Sequence, residues 1–236
     1  MQTDEKLVSS EILARSNTAQ FPNESAEYRK ARNELMKEEI ELRRHLWRVA
    51  KQRRNLPPGG EVKVDYKFEG AEGSVSLKEL FGGHDTLIIY NMMYGPERKE
   101  GCPMCTSQLS AWDPEVPHLN QRVALAVVAR SPYERIARYG VERGWKNLKL
   151  LSDPSGDFTK DYVGERDADR PAYTVFTKKD GKIRHFYSAE GNPEMADPGQ
   201  DPHNAPDMNP LWILLDTTPE GRGEKWYPKL NDKKDS

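Results

Sequence analysis

The apolar residues near the beginning of this chain follow a helical spacing. Between residues 24 and 54 they recur every three, four or seven positions, which predicts a long helix with one apolar stripe. The stripe consists of Tyr28, Ala31, Leu35, Leu42, Leu46 and Val49. The sequence LPPGG at 56–60 cannot continue a helix and indicates a boundary. We therefore predict an N-terminal extension at 1–57, a separate domain at 58–230 and a polar tail at 231–236.

Beyond this boundary the spacing changes to that of β-strands. Polar and apolar residues alternate over 62–68, which predicts a half-buried strand. The runs TLIIYN at 86–91 and VALAVV at 123–128 are short, apolar and unbroken, which is typical of strands buried on both faces of a parallel sheet. A helix between these runs, ending near Trp112, completes a right-handed strand–helix–strand unit.

The rest of the domain is predicted to alternate helices and strands and to close with a hairpin. The predicted elements are a helix at 131–144, a strand at 148–151, a helix at 157–163, strands at 172–177 and 182–187, and a last helix at about 210–217. Asp180-Gly181 between the two final strands is a dipeptide typical of a tight hairpin turn. The stretch at 191–210 is rich in Pro, Asp, Gly and Asn, and we interpret it as a surface loop or a lid.

From residue 86 the predicted order is strand, helix, strand, helix, antiparallel hairpin and closing helix. This is the element order of the thioredoxin fold, with an extra strand before it and an insertion between residues 145 and 170. The pattern therefore predicts an α/β, thioredoxin-like three-layer fold around a central mixed sheet.

Composition and charge exclude several classes of function. The 236 residues include 36 Lys and Arg against 38 Asp and Glu, so the net charge is only -2 and does not indicate nucleic-acid binding. The chain does not begin with the apolar core of a signal peptide, and it has no apolar run of membrane-spanning length. We therefore expect a cytoplasmic protein that binds neither membranes nor nucleic acid.

The candidate chemistry lies in two cysteines with the sequence Cys102-Pro103-Met104-Cys105. Two cysteines placed at random would show this spacing only about once in a hundred times. Two sulfurs on the first turn of a helix can form a disulfide, and the second thiol can attack a mixed disulfide made by the first. Cys102, at the helix N-terminus, is the predicted nucleophile because unpaired N–H groups and the helix dipole favour a thiolate. The alternative is a pair of buried, inert cysteines.

The other predicted site residues support this pair. Cys105 shares a helix face with Leu109 and Trp112, so it is the predicted resolving thiol, and Pro103 opens the helix without losing a hydrogen bond. The Thr106 hydroxyl either bonds a thiolate or bonds back to its own helix.

Arg170 and Pro171 open the first hairpin strand, where thioredoxin-like folds have a cis-proline beside the disulfide. In that role the Arg170 backbone would hold a substrate chain. An ordinary trans proline at the start of a strand is the alternative.

The chain resembles a known bacterial family between about residues 24 and 230. The matching segments are YGPERKEGCPMCTSQLSAWD, RVALAVVARSP, RGWKNLKLLSD, DGKIRHF, ADPGQDP and LLDTTPEGRGEKWYPKL. They are similar to the thioredoxin-like proteins catalogued as domain of unknown function 899, which are often labelled predicted dithiol-disulfide oxidoreductases. The CPxC motif of that family falls on Cys102, Pro103 and Cys105, so the resemblance implies the same fold and a dithiol site.

The leading hypothesis is a thiol-disulfide oxidoreductase that acts on protein or small-molecule thiols and disulfides without a cofactor or a metal. One alternative is a thiol peroxidase of the peroxiredoxin type, although Gly95 and Lys99 stand where those enzymes have Pro and Thr or Ser. The other alternative is a redox-sensing or metal-binding interaction protein, for which the chain lacks a second CxxC. A c-type haem is excluded because Thr106 replaces the required His. The N-terminal helix is a candidate for forming a homo-oligomer.

Overall fold

The computed structural model describes residues 7–189, 209–223 and 226–230 of the chain. It divides into two compact units, one ending at Pro57 and the other beginning at Pro58. The predicted polar tail and all but the last two residues of the predicted loop or lid at 191–210 lie outside the described residues. Within the described part of the chain, no helix is both long enough and apolar enough to cross a membrane.

The N-terminal unit contains a short helix, α1 (Ser10–Arg15), and the predicted long helix, α2 (Ala26–Arg54). The hydroxyl of Ser25 caps α2 by accepting the backbone N–H of Tyr28. α1 packs against α2, and the Arg44 guanidinium of α2 donates to the carbonyl of Val8, which precedes α1. None of the residues of α2 is buried, and Tyr28, Leu35, Leu42 and Leu46 of the predicted apolar stripe are each more than half exposed.

The second unit contains a single mixed sheet of seven strands in the described residues. The strands are β1 (Lys67–Gly70), β2 (Gly73–Ser76), β3 (Thr86–Asn91), β4 (Ala124–Ala129), β5 (Leu150–Ser152), β6 (Ala172–Lys179) and β7 (Lys182–Ser188). Their order in the sheet is β2-β1-β5-β4-β3-β6-β7. β3, β4 and β5 are parallel, β6 pairs antiparallel with β3, and β7 pairs antiparallel with β6.

Helices flank this sheet. They are α3 (Leu77–Leu80), α4 (Pro103–Trp112), α5 (Val116–Leu119), α6 (Tyr133–Glu142), α7 (Asp157–Tyr162) and α8 (Pro210–Leu215), and one 3-10 turn (Asp113–Glu115) joins α4 to α5. α4 links β3 to the parallel strand β4, as the sequence predicted. α8 packs against α4 and contributes Trp212, whose side chain is buried.

The core has two parts, one on each face of the sheet. Along β4, Ala126 and Val128 belong to one cluster, and Val127 and Ala129 belong to the other, as the alternation of strand side chains requires. The first cluster includes side chains of α3 and α7, and the second includes side chains of α4 and α6. The result is a three-layer α/β structure in which both faces of the sheet are covered. This confirms the prediction that the two unbroken apolar runs form strands buried on both faces.

The strands β4-β3-β6-β7 and the helix α4 form a thioredoxin-like core, so the fold predicted from the sequence is confirmed. The hairpin is confirmed as well, with Asp180 and Gly181 both at positive φ in its turn. The strand predicted at 62–68 starts later than predicted, because regular pairing begins only at Lys67. The Val62 N–H instead donates to the Ile183 carbonyl of β7. The alternating apolar residues of this segment therefore pack in two different places, beside β7 and within β1.

Candidate redox site

The two cysteines lie at the carboxyl end of a central strand, where β3 leads into α4. The loop between Met92 and Gly101 connects β3 to α4, and the Cys102 N–H donates to the Met93 carbonyl at 3.1 Å. Cys102 is the residue that caps α4, and Pro103 occupies the first helical position, as predicted. This arrangement directs the unpaired N–H groups of the first turn toward the Cys102 side chain.

Both sulfurs are present as free thiols and share a side-chain hydrogen bond. Cys105 is 2% exposed and belongs to the core cluster beneath α4, whereas Cys102 is half-buried and reaches the surface. Of the two sulfurs, that of Cys102 is therefore the one accessible from solvent.

The surroundings of Cys102 favour its thiolate. The hydrogen bond from the Cys105 thiol is the main cause, and it lowers the pKa of Cys102 from 9.0 to about 6, although burial opposes the shift. The backbone N–H groups of Cys105 and Met104 and the positive charge of Arg98 lower this pKa further. Cys102 is therefore largely ionised at neutral pH.

The surroundings of Cys105 have the opposite effect. Its pKa is raised well above 9.0, first because its thiol donates a hydrogen bond to Cys102 and second because it is buried. A side-chain hydrogen bond with Tyr90 acts in the other direction and favours the Cys105 thiolate. The site therefore holds one thiolate and one thiol, with the proton on the buried sulfur.

Two charged residues fix the loop that precedes Cys102. The Asp169 carboxylate accepts the Gly95 N–H at 3.0 Å and forms an ion pair with Arg98. The Arg135 guanidinium donates to backbone carbonyl groups of the same loop, including that of Pro96 at 2.8 Å. These contacts orient Arg98, whose charge acts on the Cys102 sulfur. Neither Asp169 nor Arg135 was predicted from the sequence, because both meet the loop only through the tertiary fold.

Thr106 supports the helix and not a sulfur. Its hydroxyl donates to the Cys102 carbonyl at 2.9 Å and shares a hydrogen bond of 2.7 Å with the Tyr139 hydroxyl. Of the two roles predicted for Thr106, the structure contains the bond back to its own helix. Gly101 lies beside this pair, and a Cβ there would be 2.8 Å from the Tyr139 ring and 2.6 Å from the end of Met92, so these side chains would have to move.

Arg170 and Pro171 lie at the same edge of the sheet as the cysteines. Ala172, the residue that follows them, pairs with Asn91 at the end of β3. The prediction of a cis bond before Pro171 is wrong, since every peptide bond in the described residues is trans. A trans proline at the start of a strand satisfies the antiparallel pairing, because it precedes the first paired residue.

A shallow cavity of about 590 Å³ opens next to Cys102. The two neighbours of Cys102, Gly101 and Pro103, line it together with Arg98, Lys99, Glu100, Lys229 and Leu230. The cavity therefore lies beside the start of α4, where Cys102 caps the helix. No group of three or more His, Cys, Asp or Glu side chains suitable for a metal ion occurs in the part of the chain that the structure describes.

Solved structures similar to this chain cover a little more than half of it. The exposed lipoprotein thioredoxin of Streptococcus pneumoniae strain TIGR4 is 18% identical, with 54% of this chain and 90% of that chain covered and a TM-score of 0.39. A PrxQ mutant from Xylella fastidiosa is 12% identical, with 57% and 85% covered and a TM-score of 0.42. A peroxiredoxin-like protein from Aquifex aeolicus is 15% identical, with 57% and 75% covered and a TM-score of 0.38. Structural similarities with identities and TM-scores this low do not support an argument about function.

No curated protein matches the chain. A family model described as "Bacterial protein of unknown function (DUF899)" matches residues 18–233, which is nearly the whole chain. The chain belongs to this family, as its sequence resemblance predicted.

Proposed function

We propose that this member of the family is a thiol-disulfide oxidoreductase that works through a Cys102/Cys105 dithiol and disulfide. The observation that carries the proposal is the hydrogen bond between an accessible sulfur with a lowered pKa and a buried sulfur with a raised pKa. Nucleophilic attack requires a thiolate at the surface, and resolution requires a second thiol within reach of the first. The pair fulfils both requirements.

The reaction begins when the Cys102 thiolate attacks one sulfur of a substrate disulfide. The substrate S–S bond breaks, one substrate thiolate leaves and takes a proton from water, and a mixed disulfide forms on Cys102. Cys105 then loses its proton and attacks the Cys102 sulfur, which releases the second substrate thiol. Two electrons pass from the protein dithiol to the substrate, and an intramolecular disulfide remains. The same steps in reverse oxidise a substrate dithiol.

The two cysteine variants test this assignment directly. Cys105→Ser should form a stable mixed disulfide with an aromatic disulfide reagent, because the resolving thiol is absent. Cys102→Ser should form none at neutral pH and should lose disulfide reductase activity, because the remaining thiol is buried and protonated. The two proteins differ only in which sulfur is retained, so each is the control for the other. Reductase activity in Cys102→Ser would contradict the proposed roles.

The peroxidase alternative finds no support in the loop before Cys102. The N–H of Gly95 is bonded to Asp169, and Lys99 is an exposed residue whose carbonyl faces Arg135. Neither position supplies a side-chain hydroxyl beside the nucleophile. Rapid formation of a sulfenic acid on Cys102 with one equivalent of peroxide would favour the alternative.

We also propose that the apolar stripe of α2 mediates self-association. Leu35 is 52% exposed and Leu42 is 58% exposed, and the two lie symmetrically about a point between Glu38 and Glu39. Tyr28 and Val49 are symmetric about the same point. A second copy of the helix in antiparallel orientation would therefore match Leu35 with the partner subunit's Leu42, which is the self-complementary contact of a two-fold dimer.

A further inference from the structure

One buried tyrosine hydroxyl lies at the resolving sulfur. Tyr90 belongs to β3 and is paired in register with Val127, and both side chains belong to the cluster on the α4 face of the sheet. Its ring packs edge-on against Trp112 of α4, with centroids 5.4 Å apart. Tyr90 is 5% exposed and belongs to the same buried cluster as Cys105. Its hydroxyl is close enough to the Cys105 sulfur for each group to shift the pKa of the other. Packing on the strand and on the helix therefore keeps this hydroxyl near the sulfur.

The second half of the reaction creates a charge at this buried position. In the reduced protein the Cys105 thiol donates its proton toward the Cys102 thiolate, but in the mixed disulfide that thiolate no longer exists. Cys105 must then lose its proton in an apolar cluster, where an uncompensated negative charge is strongly disfavoured. A hydrogen-bond donor aimed at the sulfur stabilises the charge as it forms.

We propose that Tyr90 is a catalytic residue of the resolving step, whose hydroxyl donates a hydrogen bond to the Cys105 sulfur while that sulfur attacks Cys102. The inference rests on the proposed function. In this step the proton of Cys105 passes through water to the departing substrate thiolate, the Cys105–Cys102 bond forms, and the bond from Cys102 to the substrate breaks. Tyr90 keeps its own proton throughout.

The properties of Tyr90 fit a donor and not a base. Burial is the largest influence on this phenol and raises its pKa well above 10.0, and the neighbouring Cys105 raises it further. The phenol therefore keeps its proton in the neutral range, where Cys102 is already ionised. It stabilises the forming Cys105 thiolate by its dipole, and no proton needs to leave the tyrosine.

Single-turnover kinetics with Tyr90→Phe test the proposal, because the ring is kept and only the hydroxyl is removed. Reduced protein is mixed with one equivalent of an aromatic disulfide, and the mixed disulfide in acid-quenched samples is quantified by mass spectrometry. The mixed disulfide should form at the wild-type rate, but its resolution should be about tenfold slower or more, as expected for the loss of a hydrogen bond to a charged group. Tyr94→Phe is the matched control, since Tyr94 is equally buried and packs on Tyr139 instead.

The outcomes separate this inference from the proposed function. If the wild type forms no mixed disulfide, the proposed function fails, and the role of Tyr90 fails with it. If the wild type resolves normally and Tyr90→Phe resolves at the same rate, only the role of Tyr90 is overturned.

A second measurement keeps the inference testable if Tyr90→Phe does not fold. In Cys102→Ser, ionisation of the one remaining thiol should shift the near-ultraviolet absorbance of a tyrosine at the same pH at which the thiolate absorbance rises. A tyrosine spectrum that does not respond to that titration would overturn the contact.

Discussion

The clearest prediction concerns what makes Cys102 reactive. The hydrogen bond from the Cys105 thiol is the main cause that lowers the pKa of Cys102 from 9.0 to about 6. Replacing Cys105 with Ala removes this bond but leaves the backbone N–H groups and Arg98 in place. The pKa of Cys102 should therefore rise in Cys105→Ala and remain below its ordinary value.

The expected size follows from the ionised fraction. At pH 7 a thiol with the lowered pKa is about nine-tenths thiolate, against about one-hundredth for an unperturbed thiol, which is a gain of about ninety-fold. Intrinsic nucleophilicity falls by about twenty-fold over the same shift, so the net gain in rate is only about fivefold. If Cys105→Ala raises the pKa by about one unit, its rate at pH 6 should fall about twofold, and its rate above pH 9 should exceed the wild-type rate about threefold.

The assay is the alkylation rate of Cys102 against pH, read by mass spectrometry of the peptide that contains it. The two pH profiles should cross, because the variant has less thiolate at low pH but a stronger nucleophile at high pH. Cys105→Ser retains a hydroxyl donor and should fall between the wild type and Cys105→Ala. An unchanged midpoint in Cys105→Ala would refute the reasoning and would assign the lowered pKa to the helix N-terminus and Arg98.

Three further predictions follow from contacts around this site and in the N-terminal unit. Thr106→Val removes the bonds to the Cys102 carbonyl and to Tyr139, so it should lower the free energy of unfolding by about 1–2 kcal/mol in urea. The alkylation midpoint should not change, and a shifted midpoint would mean that Thr106 acts on the sulfur. The Asp113 carboxylate accepts the backbone N–H groups of residues 146 to 148 at 2.8 to 3.0 Å. Asp113→Ala should therefore lower the free energy of unfolding in urea by about 3 kcal/mol. A decrease of less than about 1 kcal/mol would contradict this anchoring role. Light scattering should give a dimer for the full chain and a monomer for Leu35→Glu, whereas a monomeric wild type would exclude self-association through Leu35 and Leu42.

The fold could be predicted because its main elements have strong local patterns. The apolar runs of β3 and β4 predict strands covered on both faces, and Asp180-Gly181 predicts the hairpin turn, since both residues adopt positive φ. The segment at 62–68 misled the interpretation because burial there does not arise from one strand. Val62 bonds to β7, whereas Phe68 is buried within β1, and alternation alone does not distinguish these cases.

The site could be predicted from the sequence only where its features depend on residues that are close together in the chain. The spacing of the cysteines, Pro103 at the helix start and the helix face of Cys105 are all properties of a few consecutive residues. Asp169 is 74 residues away from Gly95 in the chain, so no local pattern indicates their contact. Tyr90 lies within a strand that the sequence predicts correctly, but its proximity to Cys105 depends on how α4 packs on the sheet.

The central claim is that Cys102 and Cys105 form one reversible two-electron couple, and a redox titration tests it most directly. Protein equilibrated in thiol–disulfide buffers of graded potential would be treated with an alkylating mass probe. The account predicts that both thiols disappear together in a single two-electron step and return together on reduction. Thiols that remain alkylatable across the whole range, or the oxidation of Cys102 alone, would contradict it.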